Sequence, residues 1–85
     1  MTPDYFEQTF DMLMALRPFK PFTVELNTGQ RFEIEHPGAT IWQGGHAVFR
    51  APGGVLVFFD HESVSQIINA PAHAAPGKEE RSNGK

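Results

Sequence analysis

Phe22-Thr23-Val24-Glu25-Leu26, the turn Asn27-Thr28-Gly29-Gln30, and Arg31-Phe32-Glu33-Ile34-Glu35 form the stretch on which the fold depends. Phe22, Val24 and Leu26 alternate with Thr23, Glu25 and Asn27; past the turn, Phe32 and Ile34 alternate with Glu33 and Glu35. A period of two places apolar groups on one face of a strand and polar groups on the other. Gly29 is free to take the positive φ such a turn wants. The stretch predicts an antiparallel hairpin with one buried face.

Further along the chain the signal is more broken. His36-Pro37-Gly38 interrupts the second strand, Ala39 to Trp42 resumes it, and Gln43-Gly44-Gly45 turns. His46 to Ala51 is a further strand, Pro52-Gly53-Gly54 turns again, and Val55 to Phe59 is a wholly apolar strand ending at Asp60. Neighbouring side chains of a strand point to opposite faces, so Phe58 and Phe59 cannot both enter one core. One of them must be covered by the helix, a bent neighbouring strand or another subunit. His61-Glu62-Ser63 is a short turn, and Val64 to Asn69 closes the set. Beyond Ala70 the chain is mostly Pro, Ala, Gly and charge. Residues 1–70 are therefore expected to form a single domain, and 71–85 a disordered tail.

Toward the N-terminus the period changes. Thr2-Pro3 is a helix start, with a capping side chain followed by a residue whose missing N–H costs nothing. Phe6, Phe10 and Leu13 make one apolar stripe, and Tyr5, Met12 and Leu16 a second beside it. Two readings of that broad face stand. Either the helix covers one open end of the β structure, or its second stripe packs on a neighbouring subunit. Arg17-Pro18-Phe19-Lys20-Pro21-Phe22 ends the helix and predicts a stiff extended connector.

Charge and composition exclude more than they identify. Residues 1–70 hold four basic groups (Arg17, Lys20, Arg31, Arg50) against eight acidic ones. An acidic body repels a phosphate backbone, which disfavours RNA as a partner. The absence of cysteine removes disulfides and thiolate metal sites. The longest apolar run is one strand long, far short of a membrane span. Asp4 and Glu7 stand where a signal peptide would be basic, and a cytoplasmic location is the expectation. His36, His46 and His61 match no compact ligand spacing, and Asp60-His61-Glu62 reads as a polar turn before it reads as a metal site. Neither Ser63 nor Ser65 has elbow glycines, and Gly44-Gly45 and Gly53-Gly54 lack the helix and lysine of a phosphate loop. No enzyme, no cofactor and no metal are expected.

One helix followed by short antiparallel strands, with a brief turn before the last, resembles the Sm-like and SH3-like small barrels. Phe22-x-Val24-x-Leu26-x-x-Gly29 resembles the first strand and turn of the Sm-like group, and Val55 to Asp60 sits where its long central strand lies. The string from Arg17-Pro18-Phe19 through His36-Pro37 also resembles a group of short bacterial proteins of unassigned function. The resemblance implies a mostly β fold: an N-terminal α-helix and a strongly bent five-stranded antiparallel barrel. It also implies rings built through strand edges. The sequence departs from the RNA-binding members at His61-Glu62-Ser63, where an acidic residue replaces a basic one.

The function expected is a small non-enzymatic structural or protein-interaction module that forms homo-oligomers, with a further protein partner open. Tyr5, Met12, Leu16 and Phe59 are its interface candidates. The alternative is an Sm-like RNA-binding regulator, with Trp42, Arg50 and His61 as the contact candidates.

Overall fold

The structure, a computed structural model, describes residues 1–74. Helix α1 spans Pro3–Met14. The Thr2 hydroxyl accepts from the Tyr5 N–H at 3.1 Å, satisfying one of the donors that a helix start leaves without an intrahelical partner. At the other end Arg17 donates to the Met14 carbonyl at 3.0 Å, where the helix dipole favours a cation. Pro18 follows and cannot continue the helix.

Six strands follow: β1 (Phe22–Leu26), β2 (Arg31–Ile34), β3 (Thr40–Gln43), β4 (His46–Arg50), β5 (Leu56–Asp60) and β6 (Val64–Ile68). The predicted hairpin is β1–β2, with Phe22 opposite Ile34 and Val24 opposite Phe32. Its turn is closed by Gly29, at φ 93°, whose N–H donates to the Leu26 carbonyl. β6 joins the free edge of β1, with a register shift between Glu25 and Leu26. The first sheet therefore runs β2-β1-β6 and the second β3-β4-β5.

This corrects the expected architecture. The chain does not form a five-stranded Sm-like or SH3-like barrel: its strands make two open three-stranded sheets. The reason lies at His36-Pro37-Gly38. Rather than a kink within one long strand, Pro37–Ala39 forms a 3₁₀ turn, and the strand that follows pairs only in the second sheet. A bent strand shared by both sheets is what closure would need, and β2 is too short to supply it.

The two sheets face each other across an aromatic core. Phe32 of the first sheet stacks on Phe49 of the second at 4.9 Å and meets Phe59 edge-on at 5.1 Å. Helix α1 seals the side of this sandwich. Its Phe10 lies 5.8 Å from Phe22 in one sheet, and 5.8 Å from Trp42 and 6.1 Å from Phe59 in the other. Phe6, Phe10, Phe22 and Val24 are fully buried. Short polar ties hold the helix in place: Trp42 Nε1 donates to Asp11 at 2.9 Å and the Gly45 N–H to Glu7 at 2.8 Å.

The outer faces of the two sheets differ. On the first, the chain leaving β6 turns back across the strands. The Thr23 hydroxyl donates to the Ala70 carbonyl, and the Ala72 N–H donates to the Glu33 carboxylate. Thr23 is thereby fully buried; Glu25, nearly so, is paired to Arg31 at 3.3 Å and accepts from the Gln66 amide. Residues 72–74 of the expected tail form a 3₁₀ turn, and residues 75–85 of it lie outside the described residues. No described segment crosses the outer face of the second sheet.

Candidate functional site: the uncovered face of the second sheet

Strand alternation builds this face. In β4, Ala47 and Phe49 point inward, which sends His46, Val48 and Arg50 outward. In β5, Phe59 is buried, which sends Leu56, Phe58 and Asp60 outward; in β3, Thr40 is buried and Ile41 and Gln43 lie outside. The ladder then sets these side chains in rows. Ile41 is opposite Val48 and Val48 opposite Phe58; one row over, Gln43, His46 and Asp60 align in the same way. On the other flank Arg50 is opposite Leu56.

The middle row is apolar and open to water. Ile41 is 76% exposed and Phe58 72% exposed, and Leu56, 52% exposed, extends the patch along β5. At roughly 150–200 Å² per large apolar side chain, these three present about 300–400 Å² of apolar surface. Scattered exposed apolar residues are ordinary, whereas a contiguous patch of about 300–600 Å² is as large as the largest on a typical monomer. A groove of about 590 Å³ runs over the face, lined in part by Ile41, Val48, Phe58 and Asp60.

One rim of the face is fixed by a tight turn. The Ser63 N–H donates to Asp60 Oδ1 at 3.0 Å, and the Asp60 N–H donates back to the Ser63 hydroxyl at 3.1 Å. The bond from the Ser63 backbone holds the Asp60 carboxyl below its ordinary value against a smaller opposing effect of desolvation; the Ser63 hydroxyl, the Glu62 N–H and the nearby His61 add to the lowering. Arg50, exposed, stands at the opposite end of the strands. The face is thus acidic at one rim, apolar across the middle and basic at the other rim.

The interface candidates read from the sequence separate here. Phe59 is 6% exposed and belongs to the core, in contact with the rings of Phe6, Phe10 and Phe32. Its neighbour Phe58 is the aromatic at the surface. Tyr5 and Met12 are exposed on α1, and Leu16 is half-buried against the core. Seven residues put Tyr5 and Met12 about 10 Å apart along the helix, so they make no continuous patch with each other. Ile41, Val48 and Leu56 were missed. Ile41 follows the His36-Pro37-Gly38 interruption, where alternation is too short to assign a face, and only the doubled Phe58-Phe59 hinted at an apolar exterior.

The nucleic-acid candidates are not brought together. Trp42 lies on the inner face with its ring against Phe10, and Arg50 lies on the outer face. His61 sits at the β5–β6 turn, its Nδ1 2.8 Å from the Met1 carbonyl oxygen and its backbone N–H donating to the Gly45 carbonyl. Among the described residues, no three His, Asp or Glu side chains are placed to hold a metal ion. No helix among them is long and apolar enough to cross a membrane. No protein-family model, curated protein or solved structure matches the chain.

Proposed function

We propose that this protein is a non-enzymatic structural module that associates with itself through the outer face of β3-β4-β5. The observation that carries the reading is the Ile41–Val48–Phe58 row, three apolar side chains in register, exposed at both ends and half-buried at Val48, on a sheet whose counterpart is covered by its own chain. Covering the patch on two copies removes about 600–800 Å² of apolar surface from water, to which the polar rims add; this is a small contact beside the roughly 1,200–2,000 Å² of a standard specific interface and corresponds to weak association. The occupant is a second copy and not the chain's own C-terminal segment. Residues 75–85 read Ala-Pro-Gly-Lys-Glu-Glu-Arg-Ser-Asn-Gly-Lys and carry no large apolar side chain to fill the row.

Sedimentation between about 1 and 100 μM tests this reading, in the micromolar range where interfaces of this size begin to hold. The mass is expected to rise from that of one 9.5 kDa chain toward twice that value. Phe58→Asp is expected to hold it at one chain, with its thermal midpoint unchanged at about 1 μM, where the wild type is also one chain. A wild-type protein that stays at one chain throughout overturns the reading. So does a protein whose assembly survives Phe58→Asp but is lost with Tyr5→Glu and Met12→Glu.

A further inference from the structure

We infer that the two copies are related by a two-fold axis running across the strands, along the Ile41–Val48–Phe58 row, so that each copy's basic rim lies over the other's acidic rim. This deepens the self-association reading and rests on it.

Two flat faces laid on each other by a two-fold must have the axis in the plane between them. Two orientations keep the apolar row on itself. With the axis along the strands, β4 lies over β4 in the same direction. Arg50 then opposes the partner's Arg50, and Ile41 opposes the partner's Phe58. With the axis across the strands, β4 lies over β4 in the reverse direction, Val48 meets the partner's Val48, and Phe58 meets the partner's Phe58. Arg50 now opposes the partner's His46, and the partner's Asp60 lies one strand further on.

The apolar row is satisfied either way; the rims decide. Arg50 and Asp60 sit at opposite ends of the face, since Arg50 pairs with Leu56 and Asp60 lies four residues further along β5. At about 3.3 Å per residue that is roughly 13 Å within one copy, too far for a direct pair. Reversal about the row brings Arg50 above the partner's Asp60, offset by about 4.8 Å across a sheet spacing of about 10 Å. An arginine side chain bridges that offset, and the two-fold makes the pair twice. The other orientation stacks Arg50 on the partner's Arg50 and leaves Asp60 over the partner's Gln43, which costs affinity and suppresses the wrong register. The turn at Ser63 keeps Asp60 fixed and ionised at its rim.

Cysteine cross-linking separates the orientations, because the chain has no cysteine of its own. Val48→Cys lies on the axis in both arrangements and reports the face alone; a short bis-maleimide that spans the roughly 10 Å between the sheets, too far for a direct disulfide, is expected to link it into a dimer. Arg50→Cys and His46→Cys are expected to cross-link when mixed, and neither with itself. Arg50→Cys cross-linking to itself overturns the orientation while leaving the face in place. Val48→Cys failing to cross-link, at concentrations where the wild type sediments as a dimer, overturns the face itself. Without cysteine, Arg50→Glu is expected to weaken association about tenfold at low salt, and the wild type to weaken as salt screens the rims. An Arg50→Glu protein that associates as tightly as the wild type contradicts the orientation.

Discussion

Phe58 and Phe59 are the same side chain one residue apart on β5, and replacing each by alanine separates the inside of this fold from its outside. Phe59 is 6% exposed and lies 6.0 Å from Phe6, 6.1 Å from Phe10 and 5.1 Å from Phe32. Removing that ring leaves a cavity where α1 and both sheets meet, a loss of about 3–5 kcal/mol. A domain of this size holds only about 4–11 kcal/mol in all, so Phe59→Ala takes away about a quarter or more of its stability. Phe58 is 72% exposed, and truncating it in an isolated chain costs within about 0.5 kcal/mol. Urea unfolding followed through Trp42, the single tryptophan, reads both; its ring packs on Phe10 and loses that environment on unfolding. At about 1 kcal/mol per molar urea for a small domain, Phe59→Ala lowers the midpoint by about 3 M or more and Phe58→Ala by less than about 0.5 M. The measurement belongs near 1 μM chain, below the concentrations at which the interface adds to stability. Phe59→Leu keeps the protein folded should the alanine variant fail, with a loss of about 1–2 kcal/mol. A costly Phe58→Ala beside a neutral Phe59→Ala would place β5 one residue out of register and refute the assignment of the faces.

Gly45 has a φ of 85°, and a Cβ on it would come 2.9 Å from the His61 ring and 3.2 Å from Pro3. Gly45→Ala is therefore expected to cost about 1–3 kcal/mol by thermal unfolding, and a neutral result would show that the helix start and the β5–β6 turn do not close on this residue. The Asp60 carboxyl is held below its ordinary value of 3.8 by the Ser63 backbone N–H, so its contribution to the turn is complete above that value and is lost as pH falls through the lowered one. The Ser63 amide proton shift should titrate with a midpoint under 3.8, and a midpoint at or above it would mean the bond is not made in solution. Short A-rich and U-rich RNAs at low salt are expected not to bind, because Trp42 and Arg50 face opposite sides of one sheet; sub-micromolar, salt-sensitive binding would reverse the ranking of the two functions.

Local structure was readable because its causes are local. The Thr2 cap, the i, i+4 spacing of Phe6 and Phe10, and the alternation around Gly29 each act within a few residues, and α1 and the β1–β2 hairpin stand where those patterns place them. The division into two sheets was not readable in this way. Whether β6 pairs with β1 or with β5 is decided between segments some forty residues apart, and both strands carry the same apolar alternation. Pro37 decided the rest: a proline after a β-strand suits a kink and a 3₁₀ turn equally well. The candidate face was half legible. Period two showed that Phe58 and Phe59 diverge, yet only the packing of Phe59 against Phe6, Phe10 and Phe32 shows which is inside. Ile41 and Val48 join Phe58 through the ladder, a relation that no sequence window contains.

The surface of association is the point on which the functional reading depends, and methyl and aromatic NMR through a dilution series observes it residue by residue. Between about 500 and 10 μM, spanning the weak affinity expected of a small interface, the Ile41, Val48 and Leu56 methyls and the Phe58 ring should shift together along one binding curve. The Met12 methyl, exposed on α1, should stay still. Shifts confined to Met12 and Tyr5, or none at any concentration, would contradict the assignment of the β3-β4-β5 face as the place where two copies of this chain meet.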